Sequence, residues 1–292
     1  MPLVNSLDCP GIIARSVVDL AIVLDTVQGR DVMDSTSVES EKIDLLSLDE
    51  IDVRNIRVGI PQEFHCEGLD QEVISAWSSV ASMLDDAGAK VVPVSLPHTN
   101  LAIPCYSVLN PCEVASNMSR YDGLQFGLRG QGAATEDMFA DGRARGFNEV
   151  VRGRILAGNY FLLKRHYDKY FHQALKIRRL IRDDYLKVWS DVDMLLTPVS
   201  LTPPPLFSSF SSVDNRTQTA TQDFCTQPMN LAGVPALTLP VSLSRSRIFI
   251  TGTELSLKVE SNIVSLLYIS EPNSFRRCLV SLFYYHIWFG NS

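Results

Sequence analysis

The sequence has little of what common catalytic scaffolds require. It contains no Gly-x-Ser-x-Gly elbow, no His-Glu-x-x-His pair, no P-loop and no Gly-x-Gly-x-x-Gly turn. Elbow-type hydrolases, zinc metalloproteases, P-loop NTPases and dinucleotide-binding enzymes are excluded on those grounds. Histidine occurs only five times, and the closest pair, His166 and His172, is six residues apart. Four would place two ligands on one helical face, so a metal site is not expected. The six cysteines form no Cys-x-x-Cys pair and no regular framework. They read as the reduced thiols of an intracellular protein. No run of eighteen apolar residues occurs, so no membrane-spanning helix is expected. The first eleven residues carry no targeting pattern and read like a loop from the middle of a domain. Asn117-Met-Ser and Asn215-Arg-Thr match the glycosylation triplet, but with no secretory signal they read as chance.

What is present is ordinary globular material. The 292 residues are 46% hydrophobic and 20% charged, enough for one large domain or two small ones. A net charge of -7 argues against a whole-molecule nucleic-acid footprint. Ser16 with Asp19 three residues on reads as a helix start, followed by Leu20, Val23, Leu24 and Val27 at helical spacing. Ile56, Val58 and Ile60 alternate as a strand that stops at Pro61. A helix then starts at Asp70, with Val73, Ile74, Trp77, Val80, Ala81 and Leu84 on one face and Gly88 at its end. With a second strand over 91–96 this makes a parallel βαβ unit, and Pro93 and Pro97 place that strand near an edge.

The next stretch is expected to turn helical after Pro111, with Val114 and Met118 on one face. Residues 122–146 are glycine-rich without apolar periodicity and read as a long loop that borders a site. From Asn148 the longest helical pattern runs through Ile181, with a kink or break expected at Gly153 and Gly158. Its far face, Lys164, Arg165, Lys169, Lys176, Arg178, Arg179 and Arg182, reads as a solvated face. Residues 194–199 read as a short buried strand and 203–222 as loop.

The organising stretch is 221–240. Asp223 leads a polar turn, 230–233 makes a tight bend, and Ala236 to Leu243 reads as a buried strand. Pro235 belongs before that strand, and Pro240 implies an edge or a bulge. A carboxylate feeding a buried strand can place charge at the rim of a cleft, though Asp223 also reads as a surface turn cap. Beyond Ser244 the character changes. Residues 245–252 are strand-like at best, and 278–289 are apolar on every face without periodicity.

The residues best suited to chemistry are those that hold a small zwitterion. Arg154 offers a fork for a carboxylate, Asp223 a partner for an ammonium and Tyr121 a hydroxyl. A free amino acid leaving water needs both charges countered, because an unpaired buried ion is costly.

Several blocks carry a resemblance. They are Ser6-Leu-Asp-Cys-Pro-Gly-Ile-Ile-Ala-Arg-Ser-Val-Val-Asp-Leu-Ala, Asp34-Ser-Thr-Ser, Val58-Gly-Ile-Pro-Gln-Glu-Phe, Glu113-Val-Ala-Ser-Asn-Met-Ser-Arg-Tyr-Asp-Gly, Arg154-Ile-Leu-Ala-Gly and Asn230-Leu-Ala-Gly-Val-Pro. Together, over about residues 3 to 241, they resemble the amidase signature family. They look most like its glutamine-dependent, tRNA-amidating branch in the mitochondrial form. The resemblance implies an α/β fold, a mixed and mostly parallel sheet with helices on both faces, present here in part. It implies an amidase portion over 1–243 and a divergent tail over 244–292.

The family's chemistry is a serine, bridging serine and lysine set that forms an acyl-enzyme with glutamine and releases ammonia. A partner subunit uses ATP and Mg to activate Glu-tRNA(Gln), which becomes Gln-tRNA(Gln). The implied partners are the sister subunits of a heterotrimer, glutamine and, indirectly, tRNA; no membrane and no cofactor held by this chain are implied. The implied location is the mitochondrial matrix. In that scheme Arg154 grips the glutamine α-carboxylate, Asp223 its α-amino group, and Tyr121 lies nearby.

The family's triad lies in Gly/Ser-rich blocks, and this sequence has no Gly-Gly pair. The expectation is an inactive form of marginal stability when isolated, its surviving strands showing unpaired edges and apolar faces. The other readings are a non-catalytic module that binds the sister subunits and a general amidase. The Arg154/Asp223 pair separates the last, because a hydrophobic amide needs no zwitterion clamp.

Overall fold

The structure is a computed structural model describing residues 2–34, 37, 53–210, 222–243, 250–257 and 280–283. The chain forms two compact units. One comprises residues 9–100 and 181–292, the other residues 1–8 and 101–180.

The first unit holds the sheet. Its strands are β1 (Gly11–Ala14), β2 (Arg57–Pro61), β3 (Lys90–Val94), β4 (Met194–Pro198), β5 (Ala236–Leu243), β6 (Ile250–Leu257) and β7 (Val280–Phe283), in the order β1-β7-β5-β6-β4-β2-β3. β2 pairs in parallel with β3 and β4, as the βαβ pattern predicts, and β3 lies at the edge. Residues 244–249, 258–279 and 284–292 lie outside the described residues; 250–257 and 280–283 supply two strands. Every antiparallel ladder includes one of them: β4 and β5 with β6, β1 and β5 with β7. The sheet is therefore mixed, and its parallel part is β3-β2-β4 rather than most of it. Pro240 makes a bulge, not an edge: the β5–β6 register shifts between Pro240 and Ser242, while β5 lies between two partners.

Two helices of this unit start as their sequences dictate. In α1 (Val17–Val27) the Ser16 hydroxyl accepts from the Asp19 N–H at 3.1 Å. In α2 (Gln71–Asp86) the Asp70 carboxylate accepts from the Glu72 N–H at 2.8 Å. α2 buries Val73, Trp77 and Leu84. α1 buries Leu20, Ala21 and Leu24, but Val23 and Val27 are exposed, against the spacing argument. The helix packs on β1 and β7 at one end of the sheet. Among the described residues no other element covers its outer side, where Val18 and Ile22 are also exposed. β4 is buried along its whole length.

Trp77 ties α2 to that strand. Its indole N–H donates to the Leu196 carbonyl at 3.0 Å in a fully buried contact. Trp77→Phe keeps most of the apolar volume and removes the donor. We expect a loss of about 1–3 kcal/mol, measured as a lower urea midpoint against the parent chain; an unchanged midpoint would show that the bond contributes nothing.

The second unit is helical: α3 (Ala102–Met118), α4 (Thr135–Gly146), α5 (Glu149–Leu162) and α6 (Lys164–Tyr167), followed by α7 (Phe171–Val188), which contains the boundary between the units. Three sequence expectations are corrected here. α3 begins at Ala102 and runs through Pro111 instead of starting after it. Burial of Cys105, Leu109, Cys112, Val114 and Met118 outweighs the backbone bond that proline cannot make. The 122–146 stretch is not all loop, because its second half is α4. That helix has almost no apolar stripe and forms on charge: Glu136 and Asp137 in the first turn, Arg143 and Arg145 in the last, and an Asp141–Arg145 pair at 3.0 Å. The pattern from Asn148 breaks at Leu163 (φ -55°, ψ 136°) and not at a glycine. Gly158 has another role. A Cβ there would stand 2.0 Å from the Pro111 carbonyl oxygen, so its absence lets α5 lie directly on α3.

Residues 3–8 belong to this helical unit. The Asp8 carboxylate accepts from the N–H groups of Leu3, Val4 and Asn5. Ser6 donates its N–H to Glu113 at 2.9 Å and its hydroxyl to the same carboxylate, while Arg178 donates to the Ser6 hydroxyl at 2.7 Å. No helix among the described residues is long and apolar enough to cross a membrane.

Candidate substrate-binding site

In the sheet-bearing unit the site begins where the chain leaves β4. Gln222 fastens the returning segment: its Oε1 accepts from the N–H groups of Leu201 (3.0 Å) and Thr202 (3.3 Å), and its Nε2 donates to the Thr202 hydroxyl at 2.8 Å. Phe224 packs edge-on against buried Phe64, ring centroids 5.9 Å apart. Asp223 lies between these anchors in a single helical turn, Asp223–Cys225. The tight bend expected after it is a short helix, Gln227–Ala232, closed by Gly233 in the left-handed conformation (φ 74°). Pro228 at its first turn suits a helix start, and the six-residue length gave no periodicity to read. That helix delivers the chain directly into β5.

Asp223 is half-buried. Burial pushes its carboxyl above the usual aspartate range, and a hydrogen bond from Gln227 Nε2 to Oδ2 at 3.3 Å works the other way. An acid held in this state favours a cationic partner, which would repay the lost hydration of the carboxylate. Sequence reasoning missed Gln227. The signal was its four-residue spacing from Asp223, which on a helical turn brings two side chains together.

In the helical unit Tyr121 lines a hollow of about 330 Å³ with Met118, Gly127, Leu128, Arg143 and Phe147 among its walls. Its ring meets Phe147 edge-on at 5.8 Å, and a Cβ at Gly127 would come 2.9 Å from that ring. The next residue stiffens the turn: the Asp122 carboxylate accepts from the N–H groups of Leu124 (2.9 Å) and Gln125 (3.2 Å), which holds its carboxyl below the usual range. Arg154 lies on α5, whose start is capped by Asn148 Oδ1 accepting from Val151 at 3.0 Å. It is partly exposed and has no hydrogen-bonding or ion-pair partner among the described residues. Arg154 is not part of the wall around Tyr121. Tyr121 and Arg154 thus share one compact unit, and Asp223 belongs to the other. Among the described residues no group of three His, Cys, Asp or Glu side chains could hold a metal ion.

A mixed α/β sheet fed by a carboxylate-bearing turn, with a separate helical unit carrying the arginine and tyrosine, defines the class. The model of the amidase family matches residues 1–262, most of the chain, and the protein belongs to that family. It is similar to the A-type subunit of mitochondrial glutamyl-tRNA(Gln) amidotransferase from Aedes aegypti, 52% identical over 251 residues, which are 85% of this chain and 51% of the relative. The corresponding mitochondrial protein of Mus musculus is 50% identical over 84% of this chain and 47% of its own length. Among solved structures, the A-type subunit of glutamyl-tRNA(Gln) amidotransferase from Thermotoga maritima matches with a TM-score of 0.63 at 28% identity, over 90% of this chain and 50% of that one. A bacterial aryl acylamidase shares the fold (TM-score 0.65, 17% identity). The chain spans about half the length of the curated relatives it matches.

Proposed function

We propose that the chain is an A-type subunit of a mitochondrial glutamyl-tRNA(Gln) amidotransferase and that its part in that machine is to hold free glutamine. The observation that carries this reading is the 52% identity over 85% of the chain. Arg154 takes the α-carboxylate, Asp223 the α-ammonium, and the Tyr121 hydroxyl lies beside the ligand. The chemistry of each group supports the assignment. A guanidinium with no partner of its own among the described residues is available for a bidentate contact, and a carboxyl pushed up by burial gains from a cation.

Ammonia from glutamine passes to the sister subunits of a heterotrimer in the mitochondrial matrix, where a partner uses ATP and Mg to convert Glu-tRNA(Gln) to Gln-tRNA(Gln). This chain binds neither cofactor and meets tRNA only through its partners. The 292 residues contain no Gly-Gly pair, and the role we propose for them is to bind glutamine without hydrolysing it. Calorimetric titration with glutamine and co-purification with the sister subunits test both halves. Saturable heat and a co-eluting complex are expected; neither heat nor complex would overturn the reading.

Asp223 also sets a pH dependence. An acid whose folded pKa is raised holds its proton more tightly folded than unfolded, so its contribution to stability falls as pH rises from the ordinary aspartate value towards the folded one. Ligand binding runs the opposite way, because the ammonium pairs only with the carboxylate. Glutamine affinity is expected to rise with pH through that same window and then level off. A flat titration, or one unchanged by Asp223→Asn, would contradict the assignment.

A further inference from the structure

Gln227 is more than nine-tenths buried, at 8% exposure, yet its Oε1 has no hydrogen-bond partner among the described residues. A buried acceptor left unmade is costly, so such an atom points to something that arrives later. Its own amide already touches the site, since Nε2 donates to Asp223 Oδ2 at 3.3 Å, a long bond. The other carboxylate oxygen, Oδ1, has no partner among the described residues. Two acceptors without a donor, one of them charged, therefore stand one amide group apart.

We propose that Gln227 is a second binder of the ligand's ammonium, its Nε2 holding the Asp223 carboxylate and its Oε1 accepting from the ammonium when glutamine binds. The terminal torsion of glutamine is broad, so Oε1 can adjust towards the ligand without backbone movement while Nε2 keeps its bond. An ammonium has three N–H donors and no acceptor, which matches a carboxylate oxygen plus an amide oxygen; a neutral amide or hydroxyl would leave the carboxylate charge uncompensated. Asp223 supplies the charge and Gln227 fixes the direction from which it is used. The inference rests on Asp223 being the ammonium site of the proposed function.

The test compares two ligands on the full chain by calorimetry: glutamine, and glutaramic acid, which is glutamine without its α-amino group. Gln227→Met keeps length and apolar bulk and removes both amide functions. The proposal expects Gln227→Met to weaken glutamine roughly tenfold or more and to leave glutaramic acid unchanged. It also expects the side-chain amide ¹⁵N resonance of Gln227 in the unmutated chain to shift with glutamine and not with glutaramic acid, a readout independent of how the variant folds. If Asp223→Asn weakens glutamine but Gln227→Met weakens neither ligand, or both equally, the Gln227 role is overturned and the Asp223 assignment stands. If Asp223→Asn leaves glutamine affinity unchanged, the Asp223 assignment falls, and the Gln227 role falls with it.

Discussion

Gly158→Val should unfasten the helical unit. Its Cβ would stand 2.0 Å from the Pro111 carbonyl oxygen and 2.8 Å from the Ala115 side chain. Real carbon and oxygen atoms do not approach so closely, and a backbone carbonyl cannot swing aside as a side chain can. α5 must lift off α3, exposing Cys112, Val114 and Ala115, all now buried. The expected cost is about 3 kcal/mol or more, because the space cannot be recovered by rotamer changes. Hydrogen exchange reads it directly: amides of α3 and α5 should exchange roughly 100-fold faster, while the β2–β4 ladder changes less. Gly153→Val is the control, since a Cβ there has nothing within 4 Å. Equal protection in both variants would show that the helices do not meet as described.

Asp223→Asn should separate stability from binding. Removing a half-buried charge relieves the cost that raises its pKa, so the free chain is expected to gain stability at neutral pH. The same change takes away the countercharge for an ammonium. Truncating one partner of a desolvated charge pair costs about 2–3 kcal/mol at a half-buried site, roughly a 30- to 150-fold rise in Kd. Arg154→Lys keeps a charge and loses the fork, and a smaller loss, about tenfold, is expected. Thermal unfolding and calorimetry on the same samples check both signs. A variant that loses stability and keeps affinity would make Asp223 a turn cap, the other reading its sequence allows.

The elements legible in the sequence are those whose signals are local and physical. Ser16 and Asp70 announce helix starts because a short oxygen-bearing side chain there meets an orphan N–H. The start of β5 and its bulge follow from proline's missing donor. What escaped was decided by distant packing. α4 has charges instead of an apolar stripe, and α3 tolerates Pro111 because several of its faces are buried. Gly158 looked like a helix breaker and is a contact surface, which only the position of α3 reveals. Val23 and Val27 satisfied the helical period but lie on a side that no described element covers. By residue type and family resemblance Asp223, Arg154 and Tyr121 make a charge-complementary set; Tyr121 and Arg154 lie in one unit and Asp223 in the other. Gln227 carried only the weak signal of its four-residue spacing from Asp223; its unpartnered buried Oε1 is visible only in the structure.

The outer side of α1 and β1 is apolar and exposed, with Ile13 at 66% and Val27 at 64% exposure. Holding glutamine is the role we propose for these residues. Adding glutamine labelled with ¹⁵N at its side-chain amide and following the sample by NMR tests that assignment most directly. Ligand signals that broaden with added protein, with no ¹⁵N-ammonium accumulating, are the predicted result. Accumulating ¹⁵N-ammonium, or ligand signals indifferent to the protein, would contradict it.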